Sequence, residues 1–554
     1  MRSVVCNRNI LFCVLLGILL FQGQGDQLRA QHVPVHVDNV GIYDFLDELA
    51  NEGVIDINTF AKPYSRRDVA LWLEEAQESG VLSSRQRKEI AFYLRDYGKE
   101  LHTDTVSNKR FDLFFHSDSL FQITVNPVLR VGTFFSGKDF GYDRYNGGEM
   151  HGSIGSRVSF YGSLRDNHES KIIGGETYLT QKRGGVYKGD GEARDYSEAR
   201  GGVIWSWNWG RIGLQKDHYV WGHGYNGTNI FSGHNPSHAF ISLMVRPVPW
   251  LELRYMHGWL VSEVVDSLRS FSYYDGEREV YADKYVAANM LTARPVPRLY
   301  ISAGNSIVYA DTKINPAFLV PLMFYKSVDH TYNGASNEVG QNAQMFFDVS
   351  SRQLNHFHFY STLFVDEISL KRMFDKNQHS NYVSLKAGLR MSGIPSDWSF
   401  TAEYTRTNPM VYQHKIPTTT WESNGYNMGH YLRDNSDEWF LGIQYRPFRG
   451  MFWELSYTRA RKGKDYQAIL INGEEADHPE INQEEPRWGL PFMNEVKFEM
   501  EKVSLKGYWQ VIHDGYFFVK LTFSDISGTD KEKYVPLFYL QDNFSGSLGV
   551  NFGF

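Results

Sequence analysis

Beyond Lys109 the apolar residues recur with a period of two, and this alternation limits the fold more than any other feature of the chain. LFQITVNPVL places Phe121, Ile123 and Val125 on one face and Gln122, Thr124 and Asn126 on the other. VIWSWNW sets Val203, Trp205, Trp207 and Trp209 against Ile204, Ser206 and Asn208, and Gly210 turns the chain. AFISLMV, LELRYMH, FWELSYTRA and VKFEMEKVSLKGYWQVI repeat the pattern. Such segments are strands with one apolar and one wet face.

The strands are punctuated unevenly. MVRPVPWLELRY (244–255), LTARPVPRLYIS (291–302) and IQYRPFRGMFWELSY (443–457) each join two strands through a few residues that begin Arg-Pro. Proline donates no ladder hydrogen bond and suits a tight turn. Between these turns lie long polar stretches such as KGDGEARDYSEARG, DSLRSFSYYDGEREVYAD and INGEEADHPEINQEEPRWG. Short turns at one end and long loops at the other is the asymmetry of outer-membrane barrels.

A soluble antiparallel sandwich also alternates, so the choice rests on further features. MRSVVCNRN followed by the apolar run Ile10–Phe21 reads as an export signal, with a cut after Ala30 in LRAQ. Both cysteines, Cys6 and Cys13, lie inside that removable segment, which leaves the mature chain without disulfides or thiolate metal sites. Aromatic residues reach 15%, as interfacial girdles require. Mean hydropathy of −0.42 argues against a bundle of membrane helices. A net charge of −7 without a basic stripe gives no electrostatic case for nucleic acid.

The chain closes on FSGSLGVNFGF. Phe544, Leu548, Val550, Phe552 and Phe554 fall on one face; Ser545, Ser547 and Asn551 fall on the other. About eleven residues suffice for a tilted strand to cross the hydrocarbon. Open strand edges are excluded from lipid, so this strand is expected to pair with the first. Dividing the roughly 445 residues after the helical part by strands of about 10 residues plus loops gives about 18 strands. The expected architecture is a mainly β, closed antiparallel transmembrane barrel over 109–554, preceded by a signal peptide (1–30) and a small helical module (31–105).

In that module, YDFLDELANEG sets Phe45, Leu46 and Leu49 on one face and stops at Gly53. KPYSRRDVALWLEEAQESG has capping spacing at Ser65 and Asp68 and a stripe of Val69, Trp72, Leu73 and Ala76. SSRQRKEIAFYLRDYGKEL aligns Ile90, Tyr93, Leu94, Tyr97 and Leu101. The expected role is a structural cap or spacer on the periplasmic side.

Several stretches together resemble the Wzi family of capsule-assembly outer-membrane proteins. They are YDFLDELANEGVI and KPYSRRDVALWLEEA in the helical part, LQKDHYVWGHGYNGTNIFSGHNPSHAFISLMVRPVPWLELRY in the centre, and INPAFLVPLMFY followed by QNAQMFFDVSSRQLNHFHFYSTLFVDEI. The resemblance implies a large barrel with a periplasmic helical bundle and a non-enzymatic, lectin-like role in binding exported or capsular polysaccharide during capsule assembly. Separately, FSGSLGVNFGF resembles the terminal signature of outer-membrane proteins, alternating apolar residues with a final aromatic, and that resemblance implies that the last strand, with Phe552 and Phe554, is recognised by the barrel-insertion machinery. The acidic 472–486 region departs from the family, so glycan identity does not carry over.

Sugar recognition needs flat rings for C–H faces and hydrogen-bonding groups around them. The loop YVWGHGYNGTNIFSGHN supplies Tyr219, Trp221, His223, Tyr225, Asn226, Asn229 and His234; the alternative is a loop packed over the barrel with these rings as its core. Asp348 and Asp366 form a second candidate group; the alternative is a lumenal ion-pair network with arginines. His218, His223, His234 and His238 raise a metal reading, but they sit in loop sequence and are read as structural. No nucleophile elbow, His-Glu-x-x-His or phosphate loop occurs. The expectation is a non-enzyme without cofactor or metal, set in outer-membrane lipid. A porin-like channel for sugars or polar solutes is the alternative, and a barrel hydrolase a more distant one.

Overall fold

The computed structural model describes residues 32–101, 112–175, 178–179, 188, 191–274, 276–310, 313–334, 341–367, 381–466, 470–471, 474–475 and 490–554. The leader with its two cysteines and most of the acidic 472–486 region lie outside the described residues.

Eighteen antiparallel strands close into one ring. The first, Phe121–Ser136, pairs with the last, Phe544–Phe552, from Ser136↔Ser545 to Leu129↔Phe552. That pairing removes the edge that lipid would not tolerate. The outer face carries exposed Leu129, Val131, Phe347, Val349, Leu441, Val503, Phe517, Phe523, Leu548 and Val550. In the last strand Ser545 and Ser547 are buried inward, as alternation requires. The alternation ends after Phe552. Gly553 takes φ +76°, and Phe554 turns inward to stack on His36 at 6.0 Å and to meet Tyr516 edge-on. The apolar outer stripe therefore stops one ring earlier than the sequence pattern suggests.

The Arg-Pro turns are tight and share one end of the barrel. Val248 and Leu251 are joined by two residues, as are Val296 and Leu299, where Arg298 adopts φ +64°. Tyr445 and Met451 are joined through Gly450 at φ +76°. The connections 208–209, 155–157, 352–356, 393–397 and 513–514 lie at the same end. The opposite end bears the longer connections, including 218–237, 261–283 and 408–435.

Three helices precede the barrel: α1 (Val40–Asn51), α2 (Arg66–Glu78) and α3 (Ser84–Tyr97). The Asp68 amide donates to Ser65 Oγ at 3.0 Å, which caps α2. A full reciprocal capping box forms at Ser83 and Gln86 and starts α3. Positive φ at Gly53 and Gly80 ends the turns after α1 and α2. Phe45, Leu46, Leu49, Val69, Leu73, Ala76, Ile90, Tyr93 and Tyr97 make the module's own core, with Trp72, Leu94 and Leu101 packed at its margin.

Candidate functional site

The helical module seals the tight-turn end of the barrel. Its acids meet inward-facing arginines: Arg446 lies 3.4 Å from Glu48 and 3.7 Å from Asp44, and Arg352 donates to Asp47 at 3.1 Å. Arg294 donates to Asp56 and Arg211 to Asp68, both at 2.8 Å; Arg85 of α3 donates to Asp397 at 2.6 Å. Elsewhere on the rim Phe92 stacks on His513 at 4.0 Å, and Tyr93 donates to Gln510. Burial pushes the Asp44 carboxyl above its ordinary range, against the pull of Arg390 and Arg446. Burial acts on Asp68 in the same sense, but Arg211 and His32 outweigh it and hold that carboxyl well below the usual range.

From the opposite end, the connection 218–237 folds down into the lumen. Gly222 at φ +105° makes the bend, and a Cβ on Gly224 would meet the Gly227 carbonyl oxygen at 2.0 Å. The rings it carries inward join the inner wall in one apolar core of Tyr219, Trp221, Phe231, Phe240, Phe346 and Trp421, with neighbouring aliphatic side chains. Phe231 stacks on Trp421 at 4.8 Å and meets Trp221 edge-on at 5.4 Å. Trp421 Nε1 donates to the Ile230 carbonyl at 3.0 Å, tying in the second inserted connection, 408–435. Burying rings of this size supplies the apolar drive; the polar tips then need internal partners.

The two inserts meet inside the barrel. Ala61 and Lys62 of the module pair as a short strand with Trp221 and Val220. The Gly222 amide donates to the Phe60 carbonyl at 2.9 Å, and His223 Nε2 lies 3.0 Å from Thr59 Oγ1.

Each candidate side chain named from the sequence has a definite place. Tyr219 Oη lies 2.9 Å from His238 Nε2. Trp221 is 6% exposed and Asn229 fully buried, its amide donating to the Ser384 carbonyl at 2.9 Å. His223 Nδ1 lies 2.9 Å from Asp348, which also accepts from Thr362 at 2.6 Å. Tyr225 Oη lies 2.9 Å from His358, with the Arg390 guanidinium 4.2 Å over its ring. Asn226 donates to Glu438 at 2.9 Å and its backbone amide to Glu403 at 3.1 Å. Asp366 accepts from the Tyr412 amide at 2.9 Å and from Gln344 at 3.4 Å. Asp348 and Asp366 thus pair with histidine, hydroxyl and amide groups rather than with arginines. Tyr225, Asn226 and His234 are the half-buried members of the loop set. Phe552 keeps to the outer face, whereas Phe554 accepts from Arg200 through its carbonyl oxygen at 2.8 Å. Among the described residues no group of three or more His, Cys, Asp or Glu is placed to hold a metal ion.

The sequence reading missed the inward basic residues: Arg294, Arg352, Arg390 and Arg446, together with Lys386, which pairs with buried Glu403 at 2.8 Å. A signal existed, because the Arg-Pro device repeats. In two of its three copies, Arg294 and Arg446, the arginine reaches an acid of the helical module. In the third, Arg246 pairs with Glu252 on its own hairpin.

The family model described as "Capsule assembly protein Wzi" matches residues 141–507. Among solved structures, Wzi of Escherichia coli superposes with a TM-score of 0.58 at 11% identity, covering 94% of this chain and 100% of its own. OccAB2 of Acinetobacter baumannii has a TM-score of 0.42 at 8% identity, covering 79% and 99%. OprD of Pseudomonas aeruginosa has 0.40 at 11%, covering 80% and 96%. No match is found among curated protein sequences. With the matched region spanning well over half of its length, the chain belongs to the Wzi family of capsule-assembly outer-membrane proteins.

Proposed function

We propose that this outer-membrane barrel binds exported polysaccharide and supports capsule assembly at the cell surface, without catalysis. The observation that carries the reading, beside family membership, is the filled interior. One insert from each end meets the other in mid-barrel, which suits a surface for holding polymer better than an open conduit. The related Escherichia coli protein is described as a carbohydrate-binding barrel involved in group 1 capsule assembly. In this reading residues 1–30 direct export and are removed. The helical module faces the periplasm, since it covers the tight-turn end and short turns are periplasmic in such barrels. The outer face contacts lipid, and the last strand with Phe552 engages the insertion machinery. The inserted loop from Tyr219 to His234, braced directly by Asp348 and by Asp366 through Tyr412, whose hydroxyl donates to the Asn229 carbonyl, forms the base of the glycan site, with Tyr225, Asn226 and His234 offering the part of their surface that stays open. Deleting the gene is expected to strip attached capsule from the cell while leaving polymer export intact. Cells that keep normal attached polymer would overturn the reading.

A further inference from the structure

Where the inserted loop packs, the inner wall offers rings and charged groups already engaged by the loop, but it changes character across strands Met451–Gly463, Val496–Ile512, Gly515–Ser527 and Phe544–Phe552. One row of directly opposed residues runs Gln444, Glu454, Lys506, Lys520, Ser547, Phe134. Residues opposed in register share a face, so Lys506 and Lys520 both point into the lumen side by side. Lys506 is paired with Glu454 at 2.7 Å. Lys502 lies on the same face four residues along, ~13 Å away, with no carboxylate at ion-pair distance among the described residues. Its opposed neighbours are Thr458 and Ser524. Beside the lysines the wall is built from small hydroxyl side chains, Ser504, Thr522, Ser545 and Ser547. Lys520 is exposed although it faces inward, so solvent reaches its ammonium from the lumen. Two rings border this stretch of wall: half-buried Phe134, and Phe518 with the Arg130 guanidinium 4.2 Å over its face.

We propose that Lys502, Lys506 and Lys520 form a lumenal binding site for an anionic saccharide, one whose sugar units carry carboxylates, with Phe134 as an apolar face for a ring. The site rests on the polysaccharide-binding reading and adds a charge requirement to it. An anion reaching these ammonium groups would accept charge-assisted hydrogen bonds from them. Serine and threonine hydroxyls beside them match sugar hydroxyls as donors and acceptors.

The test is titration of the full-length barrel in detergent with oligogalacturonate, a chain of uronates, and with dextran of similar length. Oligogalacturonate is expected to bind, and to bind more weakly as salt rises. The double variant Lys502→Gln/Lys520→Gln is expected to lose about tenfold or more in affinity, the scale of one charge-assisted contact. Lys502→Arg/Lys520→Arg, which keeps both charges, is expected to retain binding. Failure of the unaltered barrel to bind oligogalacturonate, equal binding of dextran, or equal affinity of the two double variants would overturn the site. Loss of capsule on gene deletion together with any of these results would remove the lysine site alone and leave the polysaccharide role standing.

Discussion

The two inserts that fill the barrel are held by different physics. The helical module has its own core and meets the barrel mainly through charge: Arg446, Arg352, Arg294 and Arg211 against Glu48, Asp47, Asp56 and Asp68. The loop 218–237 has no core apart from the barrel. Its rings are the barrel's own interior, shared with Phe346, Phe364 and Trp421. The module is a folded part that docks, whereas the loop acquires its shape only by being packed. Damage to the module's contacts should loosen it whole, while damage to the loop's contacts should unmake the loop.

The largest effect is expected from Trp221→Ala. Removing a buried indole costs about 3–5 kcal/mol, and here the cost falls on the packing of the loop against Phe231 and Phe60. Planar-bilayer recordings should show larger and noisier openings than the unaltered barrel. A quiet trace would show that the loop does not depend on its shared core.

Arg446→Gln comes next. It leaves Asp44 and Glu48 without one of their arginines inside the seam, and breaking a buried pair typically costs about 3–5 kcal/mol. The predicted outcome is faster protease cleavage between the module and the barrel, with the barrel itself remaining a folded, heat-modifiable species. Unchanged cleavage would mean that the charged seam does not hold the module.

The smallest effect concerns pH. Burial, reinforced by Arg211, lowers His32 from an ordinary value of 6.5 to about 4, and burial lowers His36 in the same direction. Between those values the released segment takes up a proton that the docked one refuses. Docking is therefore strongest above pH 6.5 and weakens as pH falls toward 4, by at most about 3 kcal/mol for His32. Hydrogen exchange at residues 33–40 should quicken over that interval, and His32→Asn should flatten the response. An equally steep response in His32→Asn would assign it to other groups.

The barrel was legible because each strand announces itself locally. Phe121, Ile123 and Val125 against Gln122, Thr124 and Asn126 need no distant information, and neither do the Arg-Pro turns or the faces of α1, α2 and α3. The interior was not legible in the same way. Tyr219 and Trp221 sit in a loop whose composition suits an open ring-rich site or a packed one equally well. The choice depends on Phe346, Phe364 and Trp421, which lie more than a hundred residues away and reach the loop only through barrel closure. The arginines fared similarly: Arg446 is visible as half of a turn signal, but its partners Asp44 and Glu48 stand some four hundred residues earlier. Lys506 and Lys520 could be read as inward by alternation, yet their opposition depends on register, which no single strand carries.

The short strand that joins Ala61 and Lys62 to Trp221 and Val220 ties the helical module to the loop 218–237 by main-chain pairing inside the barrel. A tug on either partner is transmitted to the other without passing through the wall. Under the proposed function, load on polymer held by the loop would reach the helical module through this joint and the Gly222–Phe60 and His223–Thr59 contacts beside it.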